Sequence, residues 1–134
     1  MKMIDRIDHV VLNCRDVDAM ADWYERVLGF VREEFHTPIK RYAMKFGHQK
    51  INLRQAGLDK NVWMTGEVDP PGALDICFIA TDDIADVRTR LEAEGVEIIR
   101  GPGTQRGALG PMTSIYFRDP DGNLLEIATY DPAA

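Results

Sequence analysis

IDHVVLNCRDVDAMADWYERVLGF, residues 7–30, decides the fold, because the chain carries it twice. Its first seven residues, IDHVVLN, are rich in β-formers. Asp16 then opens a stretch in which Val17, Met20, Trp23, Tyr24, Val27 and Leu28 recur at helical spacing, and Gly29 closes it as a C-cap. At an ungapped offset of 66 residues, LDICFIATDDIADVRTRLEAEGV (74–96) repeats the plan. His9 falls on Asp75, Asp16 on Asp82, Gly29 on Gly95 and Phe30 on Val96. An internal duplication of a strand-helix unit is the simplest account. Asp16 and Asp82 read as helix N-caps, and Trp23 and Tyr24 as anchors of the first helix.

Working outward, strands are expected at 30–35, 41–46 and 50–53 in the first half. Those at 96–100, 112–118 and 123–129 match them in the second. GHQ and RDPDG supply turns. Each half then reads β-α-β-β-β, an α+β arrangement. Modules 4–58 and 73–130 are joined by a linker, 59–72, within one domain spanning 1–134. GPGTQRGALGP (101–111) reads as a glycine-rich loop, the rim or lid of a cavity. It lacks the order and context of a phosphate loop. Asp119 and Asp121 belong to a DPDG turn rather than a calcium loop, which needs a longer series of spaced acids.

The 134 residues suffice for one domain with a core, and 45% are hydrophobic. A net charge of -6 argues against general nucleic-acid binding. No run is long enough to span a bilayer, and the N-terminal stretch has no signal-peptide pattern. The expectation is a cytoplasmic protein. Cys14 and Cys77 have no CxxC spacing and read as small packed hydrophobes.

Function is sought through Glu126, a carboxylate inside the apolar run Leu124, Leu125, Ile127 and Ala128. Strand alternation puts His9 on the side of its strand away from the helices, and likewise Asp75 and Glu126. Matching INL (51–53) to LEI (125–127) makes Asn52 the counterpart of Glu126. Buried carboxylates need a proton, a partner or a metal. One divalent ion, Mn, Ni, Zn, Co or Mg, would satisfy Asp75 and Glu126 and accept His9, with the Asn52 oxygen as a fourth donor. The plainer alternatives are a surface or interface carboxylate for Glu126 and a structural histidine for His9. For Asp75 the alternative is an ion pair, and for Asn52 an ordinary hydrogen bond. Arg54 has the parity of Asn52. It reads as a clamp for a substrate carboxylate or phosphate, as a neutraliser of Asp75, or as a solvated strand end. Lys50 shares that parity and is a second candidate contact. Tyr116 shares a face with Ser114 and Arg118 and reads as a pocket wall.

These motifs, together with SIYFRDPDGNLLEI (114–127) and FGHQKINL (46–53), resemble the vicinal oxygen chelate superfamily of glyoxalases, bleomycin-resistance proteins and extradiol dioxygenases. The resemblance covers residues 4–130 and is nearest to glyoxalase domain-containing proteins. It implies two paired βαβββ modules forming a curved mixed sheet around a metal pocket, frequent homodimers, and metal positions at His9, Asn52, Asp75 and Glu126.

The leading expectation is a metal-dependent lyase or isomerase of glyoxalase type. It would act on a small oxygenated substrate through a metal-polarised carbonyl and an enediolate, with Glu126, Arg54 and Tyr116 in the chemistry. The alternatives are a metal-dependent thiol transferase of the antibiotic-resistance type, using an anionic or thiol-linked substrate, and a metal-free small-molecule binder. Extradiol dioxygenases carry His where this chain has Asp75, which ranks that chemistry lower.

Overall fold

The computed structural model describes residues 1–36 and 39–130. The chain forms two compact units, Met1–Gly72 and Ala73–Ala134, so the expected linker 59–72 is part of the first. In the first unit β1 (His9–Cys14) is followed by α1 (Val17–Leu28), β2 (Val31–Phe35), β3 (Arg41–Phe46) and β4 (Gln49–Gln55). In the second, β5 (Asp75–Ile79) is followed by α2 (Ile84–Ala93), β6 (Arg100–Gly107), β7 (Gly110–Arg118) and β8 (Leu124–Tyr130). Each unit is a βαβββ module with one mixed four-stranded sheet. The strand orders are β1-β4-β3-β2 and β5-β8-β7-β6. The duplication read from residues 7–30 and 74–96 is therefore a duplication of topology.

Both helices follow from local chemistry. Asp16 accepts hydrogen bonds from the amides of Asp18 and Ala19 at 3.0 and 3.2 Å, while Gly29, at φ 69°, closes α1. Met20, Ala21, Tyr24 and Val27 of α1 are buried against the sheet, which contributes Leu12, Tyr42, Met44, Ile51 and Leu53 from its helix-facing side. Tyr24 extends this core sideways by stacking on Phe30, which stacks on Phe46. The second helix buries only Leu91, against a sheet side made of Ile115, Phe117, Leu125 and Ile127. Its cap departs from the duplication. Asp83, not Asp82, accepts the amide of Asp86, at 3.0 Å, so the helix begins one residue later than the offset implies.

The glycine-rich segment is also corrected. Residues 100–107 are not a loop or lid. They form β6, an antiparallel partner of β7, and the turn is confined to 108–109. The strand expected at 96–100 is only the approach to it, with the amide of Ile99 already donating to the Tyr116 carbonyl at 2.9 Å. The glycines serve close packing rather than looseness. A Cβ on Gly101, whose φ is +94°, would stand 2.4 Å from the backbone oxygen of Ser114. One on Gly107 would stand 2.4 Å from the Tyr130 hydroxyl, which accepts the amide of Leu109 at the turn. Gly101→Ala should therefore cost roughly 2–4 kcal/mol, since strain at positive φ adds to a clash with backbone. A urea midpoint unchanged from wild type would contradict this.

Candidate functional site

The face of each sheet that turns away from its helix carries the polar residues. In the first unit, parallel pairing of β1 with β4 sets His9 opposite Lys50 and Val11 opposite Asn52. In the second, pairing of β5 with β8 sets Asp75 opposite Leu124 and Cys77 opposite Glu126. His9 and Asn52 are thus diagonal neighbours on adjacent strands, and Asp75 and Glu126 occupy the same diagonal in the other unit. The registers are equivalent, as the alignment of Asn52 with Glu126 required.

Glu126 is 9% exposed, and its Oε2 has no hydrogen-bond partner among the described residues. Asn52 is 5% exposed, with Oδ1 in the same state. Such atoms cost free energy unless a ligand, ion or water meets them. Ser114 Oγ is a third, one step along the same face as Tyr116. His9 is half-exposed, with Nδ1 3.7 Å from Asp8. Asp75 is exposed.

Glu126 is flanked on both sides. Tyr116 of β7 is its antiparallel partner and Cys77 of β5 its parallel one. Burial, then a hydrogen bond to Glu126, raises the Tyr116 phenol above its ordinary value. Partial burial first and the Glu126 charge second push the Cys77 thiol up to about 12. This corrects the reading of Cys77 as a packed hydrophobe. Cys14 is buried, but Cys77 is exposed on the polar face. Alternation in LDICFIA already put it beside Asp75; treating cysteine by its packing habit hid it. In chelator-treated protein, Cys77 should react with iodoacetamide at pH 8 roughly a hundredfold or more slowly than a free thiol, because the thiolate is the nucleophile. Labelling at the free-thiol rate would refute that.

Arg54 lies on the expected face but meets the protein rather than an open site. It is fully buried. Its guanidinium donates to Asp69 Oδ2 at 2.8 Å, Asn13 Oδ1 at 2.9 Å and the Trp63 carbonyl at 3.2 Å, and also to the Leu58 carbonyl. With its fork spent on the segment after β4, it neither clamps a substrate nor neutralises Asp75. The missed signal is the run Asp59–Asp69, whose carbonyls and carboxylate wrap a strand-end arginine. Arg118 is similarly engaged, donating to the Gly122 carbonyl at 3.0 Å.

The DPDG turn is structural and aligns the site strands. Asp119 Oδ1 accepts the amides of Asp121 and Asn123, each at 3.0 Å, and Oδ2 accepts the Asn123 side chain at 2.7 Å. Asn123 in turn accepts the amide of Leu74 at 2.9 Å, fixing the start of β5 against β8. That lock holds Cys77 level with Glu126.

Residues 6–127 match the Glyoxalase/Bleomycin resistance protein/Dioxygenase superfamily. The chain belongs to that superfamily. It is 43% identical over 128 residues to a virulence protein of Salmonella typhimurium, covering 96% of this chain and 86% of the relative. To a glyoxalase domain-containing protein of Mycosarcoma maydis it is 42% identical over 127 residues, covering 95% of this chain and 69% of that protein. The solved structure of an integron cassette protein of V. cholerae superposes with a TM-score of 0.91 at 40% identity, covering 98% of this chain and 99% of the other.

Superfamily membership makes the donor sets worth testing for a metal. Among the described residues, no three His, Cys, Asp or Glu side chains are grouped to hold an ion. Each unit nevertheless offers a diagonal pair, and each pair includes a buried oxygen without a partner, Asn52 Oδ1 in one and Glu126 Oε2 in the other. Taken by itself, each pair offers donors of the kind that hard or borderline divalent cations take, an amide oxygen and an imidazole in the first unit and two carboxylates in the second.

Proposed function

We propose that the protein is a divalent-metal-dependent lyase or isomerase of glyoxalase type acting on a small oxygenated compound. The observation that carries this reading is Glu126, a buried carboxylate whose Oε2 has no partner among the described residues and which is flanked by Tyr116 and Cys77. The protein donors offered to an ion would be His9 and Asn52 in the first unit and Asp75 and Glu126 in the second. When bound, the ion would polarise a substrate carbonyl and so acidify the adjacent C–H.

The remaining work falls to the chain. Glu126 accepts the proton from that carbon at a carboxylate oxygen and returns it to the neighbouring carbon, while the proton of the substrate's hydroxyl passes to the former carbonyl oxygen, and the two transfers together balance an isomerisation. Tyr116 keeps its proton at neutral pH, because its phenol is pushed upward, and stands directly across the strand pair from Glu126. Cys77, also protonated, adds no charge to the site. Arg54 contributes only by fixing the Asn13 end of β1 and the segment around Trp63.

Anaerobic calorimetric titration with Mn, Ni, Zn and Mg tests the proposal. About one ion per chain is expected, with affinity lowered about tenfold or more by Asp75→Ala. Absence of binding by all four ions in folded protein would overturn it and favour a metal-free binder.

A further inference from the structure

The helix-averted face of the first sheet is cationic, although the protein carries a net charge of -6. Lys45 and Lys50 stand directly opposite each other on β3 and β4, with His9 on the far side of Lys50. Like charges directly opposite in a sheet repel. Two of the cations on this face are matched locally, Lys45 by Glu33 at 3.5 Å and Arg54 by Asp69 at 2.8 Å. Among the described residues, no carboxylate lies within ion-pair distance of Lys50. Instead its ammonium lies 5.8 Å from the centre of the Phe35 ring. The Arg41 guanidinium lies 5.0 Å from that same ring and 4.0 Å from the ring of Trp63. One ring thus gathers two cations, and a second aromatic, itself tied down by Arg54, backs one of them.

Next on the same face stands Asn52, two residues from Lys50, whose buried Oδ1 has no partner among the described residues. That spacing is about 6.6 Å along β4. Lys50 and Asn52 share one face of β4, and a cation and an acceptor side by side suit a small molecule with an anionic end and an oxygenated end. Among the described residues Lys50 has no carboxylate partner, and a ligand carboxylate would balance its charge.

We propose that Lys50, with Arg41 and Phe35, forms a carboxylate-binding site on the sheet of the first unit, and that its ligand is a small carboxylic acid oxygenated near the carboxyl group. This binding does not rest on the proposed function. Trp63 gives the readout. In chelator-treated protein carrying Trp23→Phe, which leaves Trp63 as the remaining tryptophan, fluorescence is followed while glycolate or inorganic phosphate is added. Saturable quenching or enhancement by glycolate is expected, with phosphate weaker. Lys50→Met should weaken glycolate about ten- to a hundredfold, and Lys50→Arg should restore much of the loss. No saturation, equal binding by Lys50→Met, or tighter binding of phosphate would each overturn the proposal. Metal titration of Lys50→Met and glycolate titration of Glu126→Gln separate the two readings. Glycolate binding without metal binding defeats only the metal enzyme, and metal binding without glycolate binding defeats only the carboxylate site.

Discussion

Arg54→Ala is expected to destabilise the Met1–Gly72 unit by about 3–5 kcal/mol, the range for removing one member of a buried, hydrogen-bonded charge pair. The side chain is fully buried and links four groups: Asp69, Asn13 and the carbonyls of Leu58 and Trp63. Alanine leaves those acceptors unpaired around a cavity. Arg54→Lys keeps the charge but not the planar fork, so it should fall between alanine and wild type. Urea unfolding followed by tryptophan fluorescence measures both, and a loss under about 1 kcal/mol for alanine would show that the segment holds without its arginine.

The same network sets a pH dependence. The Gly57 amide first, and Arg54 second, hold the Asp69 carboxyl below its ordinary 3.8. A depressed folded-state value means that this stabilisation is fully present above pH 3.8 and is lost as pH falls through the folded value. Wild type should therefore weaken in that acid window more steeply than Arg54→Ala, in which one of the two causes is gone.

Glu126→Gln is expected to separate function from stability. Glutamine keeps the volume and removes a buried charge, so the urea midpoint should match or exceed that of wild type. Proton transfer at this position is lost, and catalysis should fall about a hundred- to ten-thousandfold once a substrate is in hand. Metal affinity should fall as well. A direct readout needs no substrate: because the Glu126 charge is part of what raises the Cys77 thiol, Cys77 in Glu126→Gln should alkylate faster at pH 8 than in wild type. Unchanged labelling together with unchanged metal binding would remove Glu126 from the centre of the proposal.

Much of the fold was legible because it rests on local rules. Asp16 and Gly29 bracket α1 in sequence as in structure, and the period-two pattern of IDHVVLN and LDICFIA assigned faces that pairing preserved. The repeat at 66 residues carried the topology of one half onto the other. Local rules failed where composition had a tertiary cause. Gly101 and Gly107 looked like loop residues, but they lie in β6 because Ser114 and Tyr130 leave no room for a Cβ.

The sequence by itself determined the two βαβββ modules, the caps of α1 and the equivalence of Asn52 with Glu126, since these depend on periodicity and on side chains acting on their own backbone. Tertiary structure alone decided that Arg54 is spent inside the protein, that Cys77 flanks Glu126 from a strand 49 residues away, and that Lys50 has no counter-charge among the described residues. Those outcomes depend on which distant groups share a face and a dielectric, and residue order alone does not encode that directly.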